Sequence, residues 1–211
     1  MLHHIESILS EDGCLPRRLI ATTSAYLLFL MLTIKKHDFK QASELMRKDP
    51  SAFSRLLGGE GRRKLTATVL NRANRRRIQA ITKRLGVTLN ERIVVIVDAT
   101  IIPRYGKVEN LGSFNHGKGT VKGHKFVNFM YIAADGKSLV PLASIPLYTK
   151  RYARENKFAY KTEAEIVEEW IRDLPDSDFF ERKAVPNVLF LLDAGYDAKK
   201  VQKAIISIGA H

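Results

Sequence analysis

The sequence predicts a mixed α/β protein, with an N-terminal α-helical domain over residues 1–88 and an incomplete mixed sheet with flanking helices over 89–211. Three observations carry this. The apolar period is helical before residue 88 and strand-like after it. The pair Asp135-Gly136 separates two apolar runs, as a tight hairpin requires. Two further short apolar runs each end on an aspartate, Asp98 and Asp193.

In the first domain, Leu15 to Ile34 reads as a buried helix, Phe39 to Arg47 as a second and Ala52 to Leu57 as a short third stopped by Gly58 and Gly59. A fourth helix is expected from about Leu65 to Leu85, where Ala67, Leu70, Ile78, Ile81 and Leu85 share one stripe. The apolar run from Leu19 to Ile34 contains Thr22, Thr23 and Ser24 and is shorter than the roughly 20 residues a membrane span needs. No small-residue cleavage site follows it, so neither a membrane role nor a signal peptide is expected.

In the second domain, Ile93 to Val97 is an unbroken β-branched run, which suits a strand covered on both faces. Lys125 to Ala133 and Ser138 to Tyr148 read as antiparallel partners. Thr162 and Glu165 have capping-box spacing, and Ala164, Val167, Ile171 and Leu174 give the buried stripe of a helix that Pro175 closes. Val188 to Leu192 is a further strand. Asp197 is placed to cap a last helix with Val201, Ala204, Ile205 and Ile208 inside. Strand, strand, strand, helix, strand, helix, with a hairpin in the middle, is the opening of an RNase H-like fold.

Charge bounds the partner. The chain has 35 Lys and Arg against 22 Asp and Glu, a net +13, and residues 1–90 alone hold 17 against 7. A polyanion is expected, nucleic acid first. The single cysteine, Cys14, excludes an intramolecular disulfide and fits a reducing cytoplasm.

Asp98 and Asp193 each end a strand. If the first and fourth of those strands are parallel neighbours, the two carboxylates converge, an arrangement that is repulsive unless a cation lies between them. Hard divalent ions such as Mg2+ or Mn2+ prefer such oxygens, and the chemistry they serve is phosphoryl transfer.

The stretches "VVIVDATIIPRYG", "GHKFVNFMYIAADGKSLVPLA" and "VLFLLDAGYDAKKV" resemble the first-acid strand, the central hairpin and the second-acid strand of DDE-type transposases from bacterial insertion sequences. The resemblance spans residues 91 to 208. It implies that Asp98 and Asp193 are the first two catalytic, metal-binding acids, and that the partner is double-stranded DNA at insertion-sequence terminal repeats, with a homodimer on the DNA and a nucleoid-associated, cytoplasmic setting. The family's third acid is a glutamate beyond the second aspartate. The chain stops at His211 and Glu163, Glu165, Glu168 and Glu169 all precede Asp193, so a shortened product, inactive alone, is expected, with no later strand to cover the outer edge of Val188–Leu192.

DNA contacts are expected at four places. The stretch 39–57 fits a helix-turn-helix around Asp49-Pro50, with Ser51 capping the second helix and Ser54 and Arg55 facing bases. The fourth helix carries Arg72, Arg75, Arg76 and Arg77. The glycine-rich loop 112–125 carries Lys118, Lys122 and Lys125, and the loop 148–161 alternates Lys150, Arg151, Arg154 and Lys157 with Tyr152, Phe158 and Tyr160, a mixture that holds phosphates and stacks on bases. His116 and His124 lack zinc-ligand partners and read as ordinary loop residues. Two rival functions remain: a non-catalytic DNA-binding or regulatory protein derived from a transposase, and an RNase H-like nuclease or resolvase.

Overall fold

Ile93, Val95 and Val97 are each no more than 1% exposed, while Val94 and Ile96 between them are only half-buried. This alternation fixes which face of the central sheet is covered. The computed structural model describes residues 6–7, 10, 17–32, 39–52, 56, 92–106, 108–117, 119–132, 136, 139–177 and 179–211. The chain forms two units, 1–77 and 78–211.

In the first unit, α1 (Arg17–Leu32) and α2 (Phe39–Met46) meet through Ala25 and Ala42, both buried, with Tyr26 and Met46 packed beside them. Small residues at the crossing let the two backbones approach closely. Met46 is followed by Arg47 at φ 49, and the Ser51 amide then donates to Asp49 Oδ1 at 2.7 Å. The capping side chain is therefore Asp49 rather than Ser51, because the carboxylate reaches an amide two residues on. Of the expected third helix, Ala52 to Leu57, residues 52 and 56 are helical, and 50 and 51 before them are helical as well. The expected fourth helix, with Arg72, Arg75, Arg76 and Arg77, lies outside the described residues, as does Arg55.

The second unit is mixed α/β. Its strands are β1 (Ile93–Pro103), β2 (Gly112–His116), β3 (Gly119–Ile132), β4 (Leu139–Leu147) and β5 (Val188–Leu192). Its helices are α3 (Lys150–Glu155), α4 (Glu163–Asp173) and α5 (Lys199–Ser207). The five strands form one mixed sheet. The long β3 pairs antiparallel with β1 along one flank, and with β2 and then β4 along the other. Parallel to β1 runs β5, from Ile93↔Val188 to Val97↔Leu192. The β3–β4 pairing is the expected hairpin, and Gly136 sits in its connection at φ +65, a conformation that favours glycine.

One core holds the sheet to its helices. Val95, Val97, Val127, Phe129, Tyr131, Val188 and Phe190 point to one face, where Val167 and Ile171 of α4 and Val201 and Ala204 of α5 meet them. Phe129 stacks on Trp170 with ring centroids 4.1 Å apart. Each such fully buried side chain contributes about 1.5–3 kcal/mol. Thr162 starts α4 with both halves of the capping box in place. The opposite face of the sheet is far more open, and Leu191 on it is 46% exposed. The run Ile93–Val97 is thus fully buried at alternate positions, not on both faces as its unbroken apolar sequence suggested.

Four further expectations change. First, β1 does not end at Asp98: it pairs with β3 as far as Pro103, and only its pairing with β5 stops at Val97. Second, the stretch 112–125 is not a loop, since its first half is β2 and its second half opens β3, joined at Gly117 with φ +57. Gly123 is needed there, because a Cβ would meet the Ile102 carbonyl oxygen at 2.3 Å. Third, residues 150–155 inside the expected loop 148–161 are helical, capped by Thr149. Fourth, Asp197 does not cap α5: it ends the 3-10 turn Ala194–Tyr196 and accepts from Gln202, and Ala198 occupies the cap position without a side-chain bond.

The outer side of β5 is occupied at two points. The Phe190 amide donates to the His211 carbonyl at 2.8 Å and the His211 amide to the Val188 carbonyl at 2.9 Å. The edge that was expected to stand bare is therefore bridged, parallel to β5, by the residue that follows buried Ala210.

Candidate active site

Asp98 and Asp193 follow directly on the last parallel pair, Val97↔Leu192. Neighbouring strands lie about 4.8 Å apart, so Asp98 and Asp193 leave this last rung from adjacent strands, and the charges of both reach the Tyr196 phenol. Both residues are exposed. Asp193 Oδ1 accepts the Ala194 amide at 2.6 Å, which fixes the start of the 3-10 turn Ala194–Tyr196. Asp98 faces Asn128 across the β1–β3 ladder.

Beneath this pair lies a buried polar group that the sequence did not single out. Tyr196 is 4% exposed, and its hydroxyl donates to Glu163 Oε2 at 3.4 Å. Burial, followed by the charges of Glu163, Asp98 and Asp193, pushes the phenol well above the usual tyrosine range. Tyr196 therefore stays protonated and serves as a donor among three carboxylates. Glu163 is in turn held by Lys125, whose Nζ lies 2.7 Å from Glu163 Oε1, with side chains 18% and 31% exposed. The "GYD" after Asp193 was the available signal: an aromatic one turn beyond a strand end returns to the core.

The two aspartates suit an oxygen-seeking divalent cation that keeps several waters, as Mg2+ does when bound by one or two carboxylates. Among the described residues no group of three or more His, Cys, Asp or Glu side chains converges as a metal site. Glu163 does not join the pair, since it is engaged by Lys125 and Tyr196.

The other expected contacts are distributed differently. Lys125 is committed to Glu163 and also lies 5.7 Å from the Phe114 ring centre. Arg151 is paired with Glu155 along α3 at 2.8 Å. Lys122 and Arg154 are exposed, with no ion-pair partner among the described residues, and exposed Lys150 lies 5.4 Å from the Tyr160 ring centre. Lys118 lies outside the described residues. Tyr148, Tyr152 and Phe158 pack on one another, with Phe158 49% and Tyr160 43% exposed. His124 Nε2 is 2.8 Å from the Glu109 carbonyl and closes a local loop. A cavity of about 740 Å³ lies beside α3, lined by Asn110, Thr149, Arg151 and Tyr152 among others. Among the described residues no helix is long and apolar enough to cross a membrane.

No protein-family model, no curated protein and no solved structure matches this chain.

Proposed function

We propose that residues 89–211 are an RNase H-like domain of the DDE transposase type, and that the chain acts on DNA through Asp98 and Asp193. The observation that supports this reading is the parallel register of β1 and β5, whose last rung, Val97↔Leu192, is followed on each strand by an exposed aspartate. A stable fold has no use for two adjacent exposed carboxylates, and a divalent cation relieves their repulsion. In this reading Asp98 and Asp193 hold Mg2+ or Mn2+. When bound, the cation supplies charge for phosphodiester cleavage and strand transfer.

The protein's own groups have separable tasks. Asp193 is oriented by the Ala194 amide, and Tyr196 and Lys125 hold the Glu163 carboxylate. Lys122, Lys150 and Arg154 remain free to neutralise DNA phosphates, and the partly exposed rings of Phe158 and Tyr160 to stack on distorted bases. The basic segment 1–88 is the expected binder of insertion-sequence ends, and the net charge of +13 favours any such contact.

The reading is tested by Mn2+ binding followed by electron paramagnetic resonance, together with salt-dependent DNA binding and Mn2+-dependent nicking. Supporting results are Mn2+ binding abolished in Asp98→Asn and in Asp193→Asn, with DNA binding retained by both. DNA binding with no cation site sensitive to either aspartate overturns the enzymatic reading in favour of a non-catalytic DNA-binding protein. That second reading has one observation on its side, the lack of a third metal-binding side chain beside the pair among the described residues.

A further inference from the structure

Between β1 and β2 the chain makes a short excursion that is anchored on both sides. The Arg104 amide donates to the Lys122 carbonyl at 3.0 Å, which carries the β1–β3 pairing one residue past Pro103. On the return, His124 Nε2 donates to the Glu109 carbonyl at 2.8 Å. Asn110, at φ 54, then reaches the end of β4: its side-chain amide donates to the Leu147 carbonyl at 3.2 Å, and its Oδ1 accepts the Thr149 amide at 2.8 Å. Asparagine tolerates this left-handed backbone better than most residues. The excursion is thus fixed to β3, to β4 and to the cap of α3.

What this mount carries is exposed. Ile102, Tyr105 and Val108 all reach solvent, and Tyr105, at 90%, is the most exposed large apolar side chain among the described residues. Gly106 turns the chain directly after it at φ +84. Beside the ring stand two exposed cations, Arg104 and Lys122, whose backbones are joined by the hydrogen bond given above. A ring so placed adds nothing to the core, while its rigid mount lowers the ordering cost of any contact it makes. The partner that suits a bare aromatic face flanked by positive charge is a nucleic-acid base with its phosphates.

We propose that Tyr105 stacks on an unpaired base of bound DNA, with Arg104 and Lys122 on the phosphates beside it. Tyr105 lies seven residues past Asp98. Even a fully extended chain holds it no more than about 25 Å away, roughly seven base pairs at 3.4 Å each, so a single DNA molecule can meet both. The relation of this contact to a cleaved bond rests on the reading given under Proposed function; the stacking itself requires only that the chain binds DNA.

Fluorescence anisotropy at fixed salt compares two labelled DNAs, a fully paired duplex and the same duplex with one unpaired base. Wild type binds the second more tightly. Tyr105→Ala removes this preference, weakening binding to the unpaired-base DNA roughly 5- to 100-fold, the range for one lost stack on an aromatic ring, and leaves the paired duplex nearly unaffected. Tyr105→Phe keeps the preference, because the ring stacks without its hydroxyl. Arg104→Ala and Lys122→Ala each lower the salt slope by about one on both DNAs. Thermal unfolding of every variant is recorded alongside, so that a folding defect is recognised. A folded Tyr105→Ala that keeps the wild-type preference assigns the stack to Phe158 or Tyr160 and overturns the proposal. An equal loss on both DNAs overturns it too, as does a wild type that shows no preference. A Tyr105→Ala that alters only self-association, read by sedimentation velocity, makes the tip a protein contact and likewise overturns it. Mn2+ binding that does not depend on Asp98 defeats the cation reading alone and leaves the stacking result standing.

Discussion

The Tyr196 hydroxyl lies 3.4 Å from Glu163 Oε2, and the other oxygen of that carboxylate lies 2.7 Å from Lys125 Nζ. One glutamate at the start of α4 thus ties β3 to the turn that follows β5. Tyr196→Phe removes the phenol's hydrogen bond and keeps its ring. A loss of about 0.5–1.5 kcal/mol is expected, read as a lower urea midpoint with unchanged slope. The stability lost above pH 10 distinguishes the two proteins further. The raised phenol is protonated in the fold when it has begun to ionise in the unfolded chain, so wild type loses stability as pH climbs past the ordinary tyrosine value and the variant loses less.

Lys125 and the exposed cations near α3 should behave differently toward DNA. Because Lys125 is spent on Glu163, Lys125→Ala leaves the salt dependence of DNA binding unchanged while costing about 1–3 kcal/mol of stability through an unpaired, part-buried glutamate. Replacing both Lys150 and Arg154 by Ala lowers the slope of log affinity against log salt by about two, at little cost in stability. A fluorescence anisotropy series at several salt concentrations checks both.

Glu165 is held down to about 2, first by the Thr162 amide and then by the Thr162 hydroxyl and Lys200. Its folded value is depressed, so its contribution is complete above the ordinary carboxylate range, near 4.5, and disappears as pH falls toward 2. Glu165→Gln should flatten the acid dependence of stability in that interval, measured by circular dichroism during acid titration. The same curve in both proteins would show that the capping box makes no acid-sensitive contribution.

Phe129 is fully buried and stacks on Trp170. Phe129→Ala should cost about 3–5 kcal/mol, the range for truncating an enclosed aromatic. The tryptophan fluorescence reports the same event, since Trp170 is the only tryptophan in the chain.

How far the sequence revealed this arrangement varies by element. The sheet's centre was legible because a β-branched run before Asp98, a short apolar run before Asp193, and an Asp-Gly between two apolar runs are local signals that the fold did not override. The capping box at Thr162 and Glu165 was legible for the same reason. Two elements were not: β2 is short and glycine-rich and becomes a strand only by pairing with β3, while the six residues of α3 depend on the Thr149 cap and on burying Ala153. Side-chain partners were the least legible, for Lys125 looks like any basic residue until β3 sets it against Glu163, and Asn128 meets Ser144 and Thr100 only once β3 lies between β4 and β1.

His211 meets β5 through its own amide and carbonyl, so its backbone direction is set by Val188 and Phe190. Any fusion partner or reporter joined after it starts out alongside β5, pointing the same way and pressed against that flank of the sheet. Labels for solution work belong elsewhere, since a bulky group there would pull His211 from its two hydrogen bonds and lay open a sticky ribbon on which other molecules could stack.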